Sequence, residues 1–157
     1  MLIEFETAII NRLKEKGITN IQAWSGRPEE LFMKPRTYPA ARLIIERLLF
    51  EEMQSPYTYG TSITGSVILF FQSLKDIGQG AYPILERIIN SLSGFDAAGY
   101  ELRIRRVELL FHEGIDFAYQ IQIEGLGRYV VPFEEYEPLT TKITTYEGEE
   151  LTSEVFK

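Results

Sequence analysis

Few residues in this chain have the types and spacing that chemistry needs. Gly78-x-Gly80 lies between an apolar stretch and a run of helix formers. That placement invites a phosphate site, because backbone N–H groups at a helix start attract anions. The third glycine of a dinucleotide fingerprint is replaced by Pro83, however, and no Gly-Lys-Ser/Thr follows. A plain turn into a helix is the better reading. His112 is the single histidine and has no Ser or Asp in a recognisable motif around it, so it reads as a turn residue rather than a general base. The doublets Glu51-Glu52, Glu134-Glu135 and Glu149-Glu150 lack the glycine and the additional oxygen ligands of a calcium loop. With no cysteine anywhere, disulfides, thiolate nucleophiles and thiolate metal sites are excluded. No catalytic residue, cofactor site or metal site is assigned, and enzyme activity is not expected.

The one basic cluster is Arg103, Arg105 and Arg106. Nucleic-acid binding asks for more positive charge and interleaved aromatics, and the chain carries a net charge of −7. Salt bridges to a second subunit or a partner fit the cluster, and a merely solvated strand face fits it equally well. Trp24 is expected in the core or at an interface.

These groups must be positioned by a body of ordinary domain size, 157 residues with 45% hydrophobic and 25% charged content. Charge divides it. Residues 1–128 hold 14 Lys/Arg against 16 Asp/Glu, and residues 129–157 hold two lysines against seven glutamates. Two parts are therefore expected, a nearly neutral domain at 1–128 and an acidic extended arm at 129–157. No apolar run reaches the length of a membrane-spanning helix. The first residues do not have the basic-then-apolar form of a signal peptide, so synthesis in the cytoplasm is expected.

Residues 2–16 predict an amphipathic helix with Leu2, Phe5, Ile9 and Leu13 on one stripe and Gly17 as its C-cap. Residues 18–24 suggest a short strand, and 28–32 one helical turn in a proline-punctuated loop. Residues 40–53 are ambiguous. Their composition favours a helix, whereas Ala41, Leu43 and Ile45 alternate as in a strand over the first half only. Residues 60–72 predict a strand buried on both sides, with Ile63, Val67, Leu69 and Phe71 on one face and Ile68 and Phe70 on the other. A second helix at 82–93 buries Leu85, Ile88, Ile89 and Leu92 before Gly94. Two strands follow, 102–111 and 117–124, joined by a hairpin at 112–115. In the first, Arg105-Arg106 interrupts the alternation as a β-bulge does. Beyond Tyr129 the periodicity fades. Yet Tyr129, Val130, Val131, Phe133, Tyr136, Leu139, Ile143 and Tyr146 are too apolar for a purely solubilising tail, so the arm is expected to lie across a neighbour.

Four phrases carry a family resemblance. They are Phe5-x-x-Ala8-Ile9-Ile10-x-x-Leu13-Lys14, Tyr38-Pro39-Ala40-Ala41, Gly78-x-Gly80-Ala81-Tyr82-x-x-Leu85-Glu86 and Asp116-Phe117-Ala118-Tyr119-Gln120-Ile121. Together with the element order, the chain over about residues 2–126 resembles the small tail-region proteins of Mu-like bacteriophages and prophages, of the tail terminator group. The resemblance implies an α+β fold, a mostly antiparallel sheet of about five strands packed with two helices. It further implies a homo-oligomeric ring, six copies around a channel, that caps the tail tube, stops its polymerisation and joins the head–neck connector. The implied partners are the chain itself, the tube protein, the connector and the sheath, with DNA passing unrecognised and no membrane contact. The implied location is the virion tail or neck, assembled in the host cytoplasm, with no cofactor. A bacterial protein-interaction module without a phage role is the alternative.

On this reading residues 40–52 form a long strand, paired antiparallel with 60–72 through a mobile tip at 55–60. The candidate interface residues are Arg103, Arg105, Arg106, Tyr57, Tyr59, Tyr129, Phe133 and Tyr136.

Overall fold

The computed structural model describes residues 1–27, 30, 35, 37–77, 80–113 and 116–132. The elements are α1 (Leu2–Glu15), β1 (Ile21–Ala23), β2 (Ala40–Ser55), β3 (Thr58–Phe71), α2 (Ala81–Leu92), β4 (Asp96–Ala97), β5 (Tyr100–Glu113) and β6 (Asp116–Val130). One sheet runs in the order β1-β2-β3-β6-β5-β4. β1 pairs parallel with β2, and every other pairing is antiparallel. This is the α+β class expected from the sequence, with six strands rather than about five. The extra strand is two-residue β4, which folds onto β5 through Ala98-Gly99, both with positive φ. Asp96 Oδ1 accepts the Gly99 N–H at 2.7 Å and fixes that turn.

The helices lie on one face of the sheet. Phe5, Ile9 and Leu13 of α1 and Ile84, Leu85, Ile88 and Leu92 of α2 share a buried cluster with Ile63, Val67, Leu69 and Phe71 of β3 and Ile121 and Ile123 of β6. Two expected stripe positions differ. Leu2 is partly exposed, and on α2 the buried position is Ile84 while Ile89 is only half-buried. Gly17 and Gly94 both take the left-handed conformation that follows a helix end. On the opposite face Ile68, Phe70, Ala40 and Ala118 form a smaller apolar cluster, and the Arg42 guanidinium sits 4.8 Å from the Phe70 ring centre. β3 is thus apolar on both faces, as its sequence indicates.

The ambiguous stretch is a strand throughout, paired with β3 from Ala40↔Phe70 to Ser55↔Thr58. Its alternation fails halfway for a structural reason. A register shift between Ile45 and Arg47 places Ile45 and Leu48 both against the helix-side core, so the apolar phase jumps by one residue. Gly65 backs this bulge, and a Cβ there would meet the Ile44 carbonyl oxygen at 2.6 Å. The bulge expected at Arg105-Arg106 is also present, as the register shift between Ile104 and Arg106.

The expected helical turn at 28–32, apart from Glu30, and the Gly78-Gln79 pair lie outside the described residues. β6 continues to Val130, so Tyr129 and Val130 belong to the sheet, opposite Tyr59 and Thr58, two residues beyond the expected boundary at 128.

Candidate protein-interaction surface

β5 and its bulge bring the three arginines together near one edge of the sheet. Arg103 Nε lies 3.6 Å and Arg105 Nη1 3.2 Å from the same oxygen, Glu124 Oε1 on β6. Arg106 Nη2 lies 3.4 Å from Glu108 Oε1. All three guanidinium groups stay more than half exposed, whereas Glu124 is largely covered. Exposed ion pairs of this kind contribute under about 1 kcal/mol. The cluster therefore does little for the fold and is available to a partner.

A second surface forms at the far end of the β2–β3 hairpin. Tyr59 and Tyr129 are direct partners across β3 and β6. The Phe50 ring meets them edge-on, with centroids 5.5 Å and 6.0 Å away. Leu49, Phe50, Met53, Tyr57 and Val130 are each about half exposed, an apolar concentration at one end of the molecule. Tyr57 occupies the turn with φ 67°, and its carbonyl accepts the Val131 N–H at 2.7 Å. Of the expected interface residues, Tyr57, Tyr59 and Tyr129 thus fall together, apart from the arginines, while Phe133 and Tyr136 lie outside the described residues. Leu49, Phe50 and Met53 were missed, because the bulge hides their phase from any simple alternation.

Beneath this end, Tyr100 is buried and donates its phenol to the Arg128 carbonyl at 3.3 Å. Burial, and secondarily the Tyr129 phenol, push its pKa above the usual tyrosine value. On the face away from the helices, Ser66 Oγ donates to Glu46 Oε2 at 2.9 Å and accepts from Gln120 Nε2 at 2.7 Å. Ser66 is fully buried in the central strand. Ser66→Ala is expected to cost about 1–2 kcal/mol, since it strips a partner from both Glu46 and Gln120. Urea denaturation measures this, and an unchanged midpoint would mean that neither group depends on the hydroxyl.

No arrangement for catalysis emerges among the described residues. The His112 side chain lies outside them, and no group of three His, Cys, Asp or Glu could hold a metal ion. A cleft of ≈ 330 Å³ between the end of α1, residues 37–40 and α2 has Arg87 as the one charged residue among the described residues of its lining. The carboxylate doublet Glu51-Glu52 is exposed on β2, and the other two doublets lie outside the described residues.

The fold is that of a two-layer α+β protein, with both helices on one face of a largely antiparallel sheet. No family model matches the chain, and no curated protein matches it. Among solved structures, a chain from the virion of a native gene transfer agent particle is similar with a TM-score of 0.55, at 10% identity, over 81% of this chain and 96% of that one. A chain from Akkermansia muciniphila solved without its transmembrane region gives a TM-score of 0.36 at 9% identity, over 85% of this chain and 57% of that one. A TM-score of that size does not imply a shared fold. The likeness to the virion chain is one of fold.

Proposed function

We propose that this chain is a structural protein of a phage-type particle, and specifically the tail terminator: a ring that caps the tail tube, stops its growth and forms the joint to the head–neck connector. The observation that carries the reading is the fold likeness to a chain of a gene transfer agent virion, which extends over 96% of that chain. The sequence phrases that resemble the tail terminator group support it from a separate direction.

In this role the protein acts without enzyme activity or cofactor. Its partners are other copies of itself, six to a ring, the tube protein and the connector, with the sheath as a further neighbour. The charge distribution suits a channel for DNA. A lumen that neutralised many phosphates would hold the DNA in place, and here Arg103, Arg105 and Arg106 already face Glu124 and Glu108.

Electron microscopy of particles made without this protein tests the proposal. Overlong tails, or tails without heads, are expected. Tails of normal length joined to heads would refute the terminator role.

A further inference from the structure

Both sides of the sheet end in strands far longer than their outer neighbours. β1 pairs with β2 only at 41–43, and β4 pairs with β5 only at 100–101. Among the described residues, 44–55 of β2 and 103–113 of β5 have no outer strand partner. Each edge presents backbone donors and acceptors along its length, which is a template for a further strand.

The two edges differ in sign. Residues 44–55 carry Glu46, Glu51 and Glu52 against Arg47, whereas 103–113 carry Arg103, Arg105 and Arg106 against Glu108 and Glu113. Large exposed apolar side chains lie on both, Leu49 and Phe50 on β2 and Leu109 on β5. Each edge also has a regular four-residue stretch directly after a bulge: 47–50 on β2, opposite 61–64, and 106–109 on β5, opposite 119–122.

We propose that the β2 edge of one copy pairs antiparallel with the β5 edge of the next copy. The proposal rests on the self-association in the tail terminator reading, but not on a place in a virion. Successive antiparallel pairings make the outer strands β2 and β5 run in opposite directions. A second sheet in the same orientation therefore continues the antiparallel pattern.

A register with Arg47 opposite Glu108 and Leu49 opposite Arg106 keeps the faces matched. Arg47 and Leu49 stand level with Thr64 and Ser62, and Arg106 and Glu108 level with Gln122 and Gln120, all on the face away from the helices. It also brings Glu51 and Glu52 towards the Arg103 end of β5. Bulges and charges on edges ordinarily discourage pairing. With opposite signs they disfavour β2 against β2 and β5 against β5 while favouring the unlike pair. Because the two surfaces differ, the contact is head-to-tail and repeats from copy to copy.

The absence of cysteine makes disulfide trapping a clean test. Within one chain, positions 49 and 106 lie three strand spacings apart across the sheet, about 14 Å, and their rows on β6, at 126 and 122, are four residues apart along it, well beyond disulfide reach. The full chain carrying both Leu49→Cys and Arg106→Cys is expected to give a ladder of linked oligomers on oxidation. An equimolar mixture of the two single variants should give linked dimers and nothing longer, and each single variant alone should stay unlinked. The single variants keep the test valid should the double variant fail to fold.

Linked dimers from one single variant alone would mean a two-fold contact between like edges and overturn the proposal. No linkage in either the double variant or the mixture would mean that the bulges and charges only block the edges, and would overturn it equally. A full ladder from a protein whose loss leaves tails normal would refute the terminator role and uphold the edge contact.

Discussion

Gly125→Ala is expected to lower stability by roughly 2 kcal/mol, the usual scale for forcing an extra methyl into a filled core. A Cβ at this position of β6 would lie 2.7 Å from Phe5 Cε1, 3.0 Å from its Cζ and 3.2 Å from the Tyr100 Cβ. The Phe5 ring cannot swing away, because it is fully buried and meets the Tyr100 ring edge-on at 5.8 Å. Phe5→Leu alone is expected to cost about 1–3 kcal/mol through lost contact and a residual cavity. In the double variant the methyl occupies space the ring has left, so the combined cost should fall at least 1 kcal/mol short of the sum. Urea denaturation of all four proteins gives the coupling. Strict additivity would show that position 125 is constrained by something other than Phe5.

Ending the chain after Pro132 is expected to leave the thermal transition in place, while ending it after Gly127 should lower the transition by roughly 5 °C. The core formed by the described residues runs from Phe5 to Ile123. Cutting at 127 instead removes Arg128, Tyr129 and Val130, the partners of Gly60, Tyr59 and Thr58, and takes Tyr129 from the Phe50 ring. The acidic arm is thereby separated from the end of β6, although both lie beyond the boundary that charge alone suggests. In the proposed role the Pro132 truncation should fold yet fail to attach to tails, because the arm docks on a neighbour. A truncated protein that completes tails normally would refute that part of the role, and one that cannot fold would make the arm part of the domain.

Periodicity carried the elements whose apolar phase is unbroken. Phe5, Ile9 and Leu13 mark α1, and the doubly apolar run from Val67 to Phe71 marks a central strand, because such patterns have one physical solution each. Arg105 was readable as a bulge because regular alternation resumes on both sides of it. The bulge after Ile45 was not, since Glu46-Arg47 falls among residues that also suit a helix, and only pairing with β3 decides the matter. The glycines of β6 left a signal that went unused. Gly125-Leu126-Gly127 within a strand marks a place where other groups approach closely, here Phe5 over one glycine and Tyr100 with the Gly99 carbonyl over the other. Of the candidate surface, the arginines and tyrosines were visible as residue types. Their division into an edge cluster and a hairpin-end cluster is a matter of register, which no local window contains.

The central seam has a consequence for synthesis. β3 meets β2 across a two-residue turn, but its other edge waits for β6, whose residues follow by 46 positions for Phe71 with Phe117 and by 72 for Thr58 with Val130. At about 5–20 residues per second, a nascent chain holds that edge open for several seconds. During that interval the most apolar strand of the protein has one side unsatisfied, and crowding on the ribosome would favour its pairing with another nascent copy. Slower translation between codons 72 and 116 would lengthen that window, so yield in the soluble fraction should track elongation speed across this stretch more closely than across the first 40 residues.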